Sequence, residues 1–160
     1  MANDMTPINS DPRFELTTFL AGSTRAWGIF EDRFGRLRRR FDVEMYGQWQ
    51  NDVFRLDERF AYDDGRVENR TWLVTPVSAE RFEATSDDCV GKASGTCLPG
   101  MIQMFYAFRL KLPARVLTVD FDDRIYRISA RTAVNRATVS KWGVRLGELS
   151  LFFEKQASVP

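Results

Sequence analysis

The 160-residue chain contains no histidine. That removes Ser-His-Asp and Cys-His catalysis and every imidazole metal ligand. Its two cysteines are too few for a zinc site, so no metal is expected. Charge of one sign is also missing: 23 Lys and Arg stand against 22 Asp and Glu, a formal net charge of +1. Phosphate-backbone binding needs a basic excess, so nucleic acid is not an expected partner. No run approaches roughly 18 consecutive apolar residues, and no transmembrane segment is expected. Residues Met1 to Pro7 carry neither a basic nor an apolar leader region. Cytoplasm is the leading expectation for location, with periplasm or envelope if a signal or lipid anchor has been removed. Gly22, Gly28, Gly35 and Gly47 lack the spacing of a phosphate-cradling loop, so no nucleotide cofactor is expected either.

Aromatic residues are plentiful: 13 Phe, 4 Trp and 4 Tyr. They favour strands and large apolar interiors. Turn signals recur every dozen or so residues with alternating segments between them, the pattern of an antiparallel all-β domain. A chain this long folds as one domain and buries roughly 68–70% of its unfolded surface, which needs no covalent staples. Cys89 and Cys97 are therefore not required for folding. They would close a loop across Gly91 and Gly95 in an oxidising compartment and stay free thiols in cytoplasm.

The one helical signal is early. Asp11 fits an N-cap and Pro12 the first helical position, with Leu16, Phe19 and Leu20 apolar and Gly22 as a stop. One or two turns should plug an end of the domain. A loosely attached segment 1–12 then precedes a barrel domain over 13–156.

Parity and loop length predict the hairpins. From Leu37 to Trp49 the odd positions are apolar, so they face inward. A type I turn at Asp32-Arg33-Phe34 with Gly35 left-handed puts Trp27 opposite Phe41 and Ile29 opposite Arg39. A two-residue Asn51-Asp52 loop sets Trp49 opposite Phe54 and Met45 opposite Glu58. The inward row becomes Phe54, Leu56, Glu58 and Phe60. The turn Tyr62-Asp63-Asp64-Gly65-Arg66 then opposes Phe60 to Glu68, Glu58 to Arg70, Leu56 to Trp72 and Phe54 to Val74. Further strands are expected at 81–88, 102–112, 116–121, 124–130, 136–142 and 145–154. Phe82, Ala84 and Ser86 face in on the first of these, and Met104, Tyr106, Phe108, Leu110 and Leu112 on the second. A tight turn at Asp122-Asp123 would oppose Val119 to Tyr126. About eight to ten strands joined by short loops give an up-and-down antiparallel β-barrel, lipocalin- or calycin-like, whose closure removes exposed edges. A two-sheet sandwich is the alternative.

Glu58 stands in an apolar inward row opposite Arg70. Either the pair merely bridges two strands, or the register slips and Glu58 is exposed, or Arg70 lies at the bottom or wall of a cavity and anchors a ligand carboxylate with its planar fork. Arg38-Arg39-Arg40 reads as a solvated, charge-mixed strand face beside Asp42 and Glu44, and Asp120, Asp122 and Asp123 as turn chemistry. The leading function is non-enzymatic binding of a hydrophobic small molecule, a fatty acid or lipid-like ligand. Phe54, Leu56, Trp72 and Tyr106 would supply apolar contact, with Arg70 and Glu58 at its polar end. One alternative is an enzyme on a lipid-like substrate using Glu58, Asp88 or Tyr126 as acid or base. Another is a barrel filled by its own side chains that acts through protein partners.

A set of residues spread from about Phe14 to Lys155 resembles the bacterial domain of unknown function 3833 family. It comprises Gly22 with Trp27-Gly28 and Phe34-Gly35, Tyr62-Asp63-Asp64-Gly65, Arg70-Thr71-Trp72, Asp88 with Gly91, Asp122-Asp123 with Tyr126, Asn135-Arg136, and Lys141-Trp142-Gly143. Position 124 is Arg where that family usually carries Trp, and no lipid-attachment cysteine lies near the start. The resemblance implies a lipocalin-like barrel associated with the envelope or lipid metabolism of Gram-negative bacteria, and no particular activity. The stretch Phe19-Leu20-Ala21-Gly22 followed by Trp27 also looks loosely like a lipocalin entry.

Overall fold

The computed structural model describes residues 12–157. One helical turn, α1 (Leu16–Phe19), precedes ten strands: β1 (Gly22–Asp32), β2 (Leu37–Gln50), β3 (Val53–Tyr62), β4 (Val67–Pro76), β5 (Arg81–Thr85), β6 (Cys89–Leu98), β7 (Met101–Lys111), β8 (Val116–Arg127), β9 (Thr132–Lys141) and β10 (Val144–Lys155). Each strand pairs antiparallel with its neighbour in the chain, and β1 pairs with β10 to close an up-and-down barrel.

Two hairpins follow directly from their turns. Met45 pairs with Glu58 and Trp49 with Phe54 across β2 and β3, around Asn51 at φ 56°. Phe60 pairs with Glu68, Glu58 with Arg70, Leu56 with Trp72 and Phe54 with Val74 across β3 and β4, with Gly65 at φ 88°.

The first hairpin differs by one residue. Gly35 is left-handed as expected, but an irregularity between Phe30 and Glu31 shifts the ladder, so Phe41 meets Gly28 rather than Trp27, and Ile29 meets Arg40 rather than Arg39. Phe30 then turns inward over Gly147 of β10, where a Cβ would lie 2.5 Å from its ring. Trp27 turns outward.

The expected turn at Asp122-Asp123 does not exist. The strands expected at 116–121 and 124–130 are one strand, β8, in which Val119, Phe121, Asp123 and Ile125 all face in; Val119 pairs with Phe108, not Tyr126. Unbroken alternation outweighs a dipeptide that suits a type I′ turn poorly. Conversely, β6 was hidden by its small inward residues, Cys89, Ala93, Gly95 and Cys97. Gly95 is small because the Phe82 ring lies over it, 2.0 Å from where a Cβ would stand. Cys89 and Cys97 sit near opposite ends of this strand, more than about 20 Å apart at ~3.3 Å per residue, so they cannot form the loop-closing disulfide; both are free and buried. At other ends, β5 stops before Ser86 and β7 before Leu112, which is exposed.

The helical plug is one turn, within the one or two expected, but it starts after Glu15 rather than at Pro12 and has no side-chain cap; the expected cap Asp11 lies outside the described residues, as does nearly all of segment 1–12. One turn leaves its C-terminal carbonyls without helical partners. Lys155 supplies them, its Nζ donating to the carbonyls of Phe19 at 2.7 Å and of Thr18 and Ala21 at 3.3 Å. The plug crosses β2 at Gly47, where a Cβ would come 2.1 Å from the Leu20 carbonyl oxygen. Among the described residues no helix is long and apolar enough to cross a membrane.

Candidate functional site

The inward row of β3 runs from the plugged end to the other rim as Phe54, Leu56, Glu58, Phe60 and Tyr62, so Glu58 and its partner Arg70 lie midway along the barrel. Their side chains are 13% and 18% exposed, with Nη1 and Oε2 3.9 Å apart. The contact is an ion pair but not a hydrogen bond. Arg70 also approaches Glu68 at 3.8 Å, whose carboxylate accepts from the Tyr62 hydroxyl at 2.9 Å. The Arg70 guanidinium lies over Phe60 at 4.7 Å and Phe108 at 4.4 Å. Glu58 Oε2 and Arg70 Nε are cut off from solvent and have no hydrogen-bond partner.

Aromatic rings surround this pair. Trp72 meets Tyr106 edge-on at 5.3 Å, and Tyr106 stacks on Phe121 at 5.0 Å. Phe54 and Leu56, expected beside them, are buried, but Phe54 packs edge-on against Trp49 toward the plugged end. Asp88 lies instead at the rim, 3.6 Å from Lys111, and Tyr126 faces outward, so neither joins the interior group.

Reading Asp122-Asp123 as a turn missed the most consequential member. Asp123 is buried, where it accepts from the Asn135 amide at 3.4 Å and from the Tyr106 hydroxyl. The signal was present as odd-position alternation from Leu117 to Ile125. Burial raises the Glu58 carboxyl to about 7, with the Arg70 charge and a Trp72 hydrogen bond pulling it down and Asp123 pushing it further up. Burial likewise raises Asp123 to about 6 against its bonds from Tyr106 and Asn135. Tyr106 is driven well above the ordinary phenol value by burial and by Asp123. Two enclosed carboxyls thus share one guanidinium, an arrangement that stores a proton near neutral pH.

A recess of about 580 Å³ follows the wall at this level, lined by Thr24, Met45, Glu58 and Arg70 with outward neighbours including Glu44, Asp57 and Thr71. Another, of about 680 Å³, runs beside Trp27, Ile29, Val134 and Phe152.

A search of curated proteins finds no match by sequence. Among solved structures, the S-type phycobiliprotein lyase CPES from Guillardia theta superposes with a TM-score of 0.65 at 8% identity, covering 90% of this chain and 92% of the lyase. A protein of unknown function of the DUF3598 family from Nostoc punctiforme gives a TM-score of 0.64 at 14% identity, with 98% of this chain on 54% of that one; the chain spans about half its length. These likenesses concern the fold, a lipocalin-like barrel. The family described as protein of unknown function (DUF3833) matches residues 4–155, and the chain therefore belongs to that family.

Proposed function

We propose that the protein binds an elongated hydrophobic small molecule of the lipid class inside its barrel. The tail lies among Trp72, Tyr106, Phe108 and Phe121 and the polar end reaches Arg70 and Glu58. The observation that carries this reading is the unused bonding capacity of Glu58 Oε2 and Arg70 Nε within an aromatic interior, since enclosed polar atoms are rarely left without partners. Barrels of eight or more strands are wide enough to hold one small ligand. Each methylene buried from water contributes about 0.8 kcal/mol.

Asp123 sets the head-group chemistry. A fatty-acid carboxylate would join Glu58, Glu68 and Asp123 near one guanidinium, so it binds with uptake of a proton, and more tightly at pH 6 than at pH 8. The matching alcohol carries no charge and binds with little pH dependence. Delipidated protein titrated with decanoic acid and decanol, followed by tryptophan emission and heat, tests this, and Arg70→Met should weaken the acid more than the alcohol. Absence of binding at millimolar ligand, with no lipid recovered by extraction and mass spectrometry, ends the reading. A second reading rests on the Glu58 carboxyl titrating at about 7: such a group beside a bound molecule suits general acid-base chemistry, and turnover of an added lipid ester would favour it.

A further inference from the structure

The rim away from the plug gathers exposed rings and cations on one arc. Its β7–β8, β9–β10 and β1–β2 tips are consecutive around the barrel, because β10 pairs with β1 and β8 with β9. The Arg33 N–H donates to the Leu146 carbonyl at 2.9 Å, and Lys141 Nζ to the Thr118 carbonyl at 2.8 Å, so the tips are tied together. On this arc Trp142 is 87% and Phe34 69% exposed, and Leu112, Val116 and Val144 are exposed beside them. Cations are interleaved with the rings: Arg33 and Arg36 lie over Phe34 at 4.8 and 5.8 Å, and Lys141 over Trp142 at 4.5 Å. Arg115 adds a further exposed cation. Asp32, the acid of the β1–β2 tip, is engaged internally, accepting from the Phe34 and Arg36 N–H groups and from Arg38. The remaining tips carry Asp63, Asp64, Asp87 and Asp88, of which Asp63 is paired with Arg40, Asp64 with Arg39 and Arg66, and Asp88 with Lys111.

Trp142 also stands at φ 51°, a left-handed conformation that is strained for a bulky side chain and suits Asn or Gly. The turn thus gives up stability to hold an indole in solvent.

We propose that this arc docks on an anionic lipid surface, with Trp142 and Phe34 entering the headgroup boundary and Arg33, Arg36, Arg115 and Lys141 meeting the phosphates. Charge complementarity selects that occupant: rings with interleaved cations match the membrane interface, whereas on the other tips the cations Arg39, Arg40, Arg66 and Lys111 are taken up by Asp63, Asp64 and Asp88. The inference stands apart from whatever the barrel interior holds.

The test is cosedimentation of the full chain with vesicles of phosphatidylcholine alone and of phosphatidylcholine mixed with phosphatidylglycerol. Binding is expected to the mixed vesicles, with a blue shift of tryptophan emission, and to weaken as salt is added. Arg33→Ser with Arg36→Ser should lower partitioning about tenfold or more. Phe34→Ser with Trp142→Asn should lower it by a similar factor, while Trp142→Asn alone melts no lower than wild type because Asn suits the turn. No binding to either vesicle, equal binding to both, or undiminished binding by the rim variants overturns the proposal. Self-association lost in the same variants, without vesicle binding, would assign the arc to a second copy of the chain and overturn it equally.

Discussion

Arg70 is the residue on which the interior charge balance turns, because Glu58 and Asp123 both depend on it. Glu58 holds its proton more tightly folded than unfolded, at about 7 against an ordinary 4.5, and Asp123 at about 6 against 3.8. Between those values the unfolded chain has released protons that the native state keeps. Their stabilisation is therefore complete at the acid end and is lost as pH rises through about 7, Glu58 alone accounting for on the order of 3 kcal/mol. Urea midpoints should be higher at pH 5 than at pH 8, and Glu58→Gln with Asp123→Asn should flatten the difference. A midpoint that climbs over that range would contradict the assignment. Arg70→Met follows the same logic: at pH 8 it strands two carboxylates and should cost about 3–5 kcal/mol, but much less at pH 5, where both are protonated.

Among the elements, α1 is too short to hold itself and depends on Lys155 at the far end of the chain. Lys155→Met leaves the carbonyls of Phe19 and its neighbours without that donor, at a cost of about 1–3 kcal/mol. Faster amide exchange confined to residues around Phe19 and Leu20 would identify the plug as the part released; unchanged exchange there would show that apolar packing alone holds it. In β6, Gly95→Ala drives a methyl into the Phe82 ring and should cost about 1–3 kcal/mol. Adding Phe82→Leu makes room, so the double variant should be more stable than the sum of the two single effects. Cys89 and Cys97 are buried on this strand, and burial raises both thiols. Thiol titration should count two free groups that react slowly until the protein is unfolded.

For the molecule as a whole, the ladder between β1 and β10 joins residues more than a hundred positions apart, Trp27 with Phe152 for example. Such closure is slow, since long-range pairing must precede its reward. A ligand held in the interior binds only the closed barrel and so stabilises all of it by mass action, about 2.7 kcal/mol at a hundredfold excess over Kd. Decanol at saturation should therefore raise Tm, and the rise should scale with ligand concentration. An unchanged Tm at saturating ligand would show that decanol does not prefer the folded barrel to the unfolded chain.

The sequence by itself determined the parts of the barrel whose causes are local. The Asn51-Asp52 and Gly65 turns lie next to the strands they join, so loop length and alternation were enough to place Glu58 opposite Arg70 and to put Phe54, Leu56 and Trp72 on one face. Tertiary structure decided what distant strands impose. Phe30 faces inward because Gly147 of β10 leaves room for its ring, and that shift turned Trp27 out. Gly95 of β6 has no side chain because the Phe82 ring of β5 lies over it. Asp122-Asp123 has the residue types of a turn, yet Asp123 became an interior acid because β7 and β9 bring Tyr106 and Asn135 to it. Turn chemistry acts over a few residues along the chain, whereas the partners of an inward side chain are chosen only when the barrel closes.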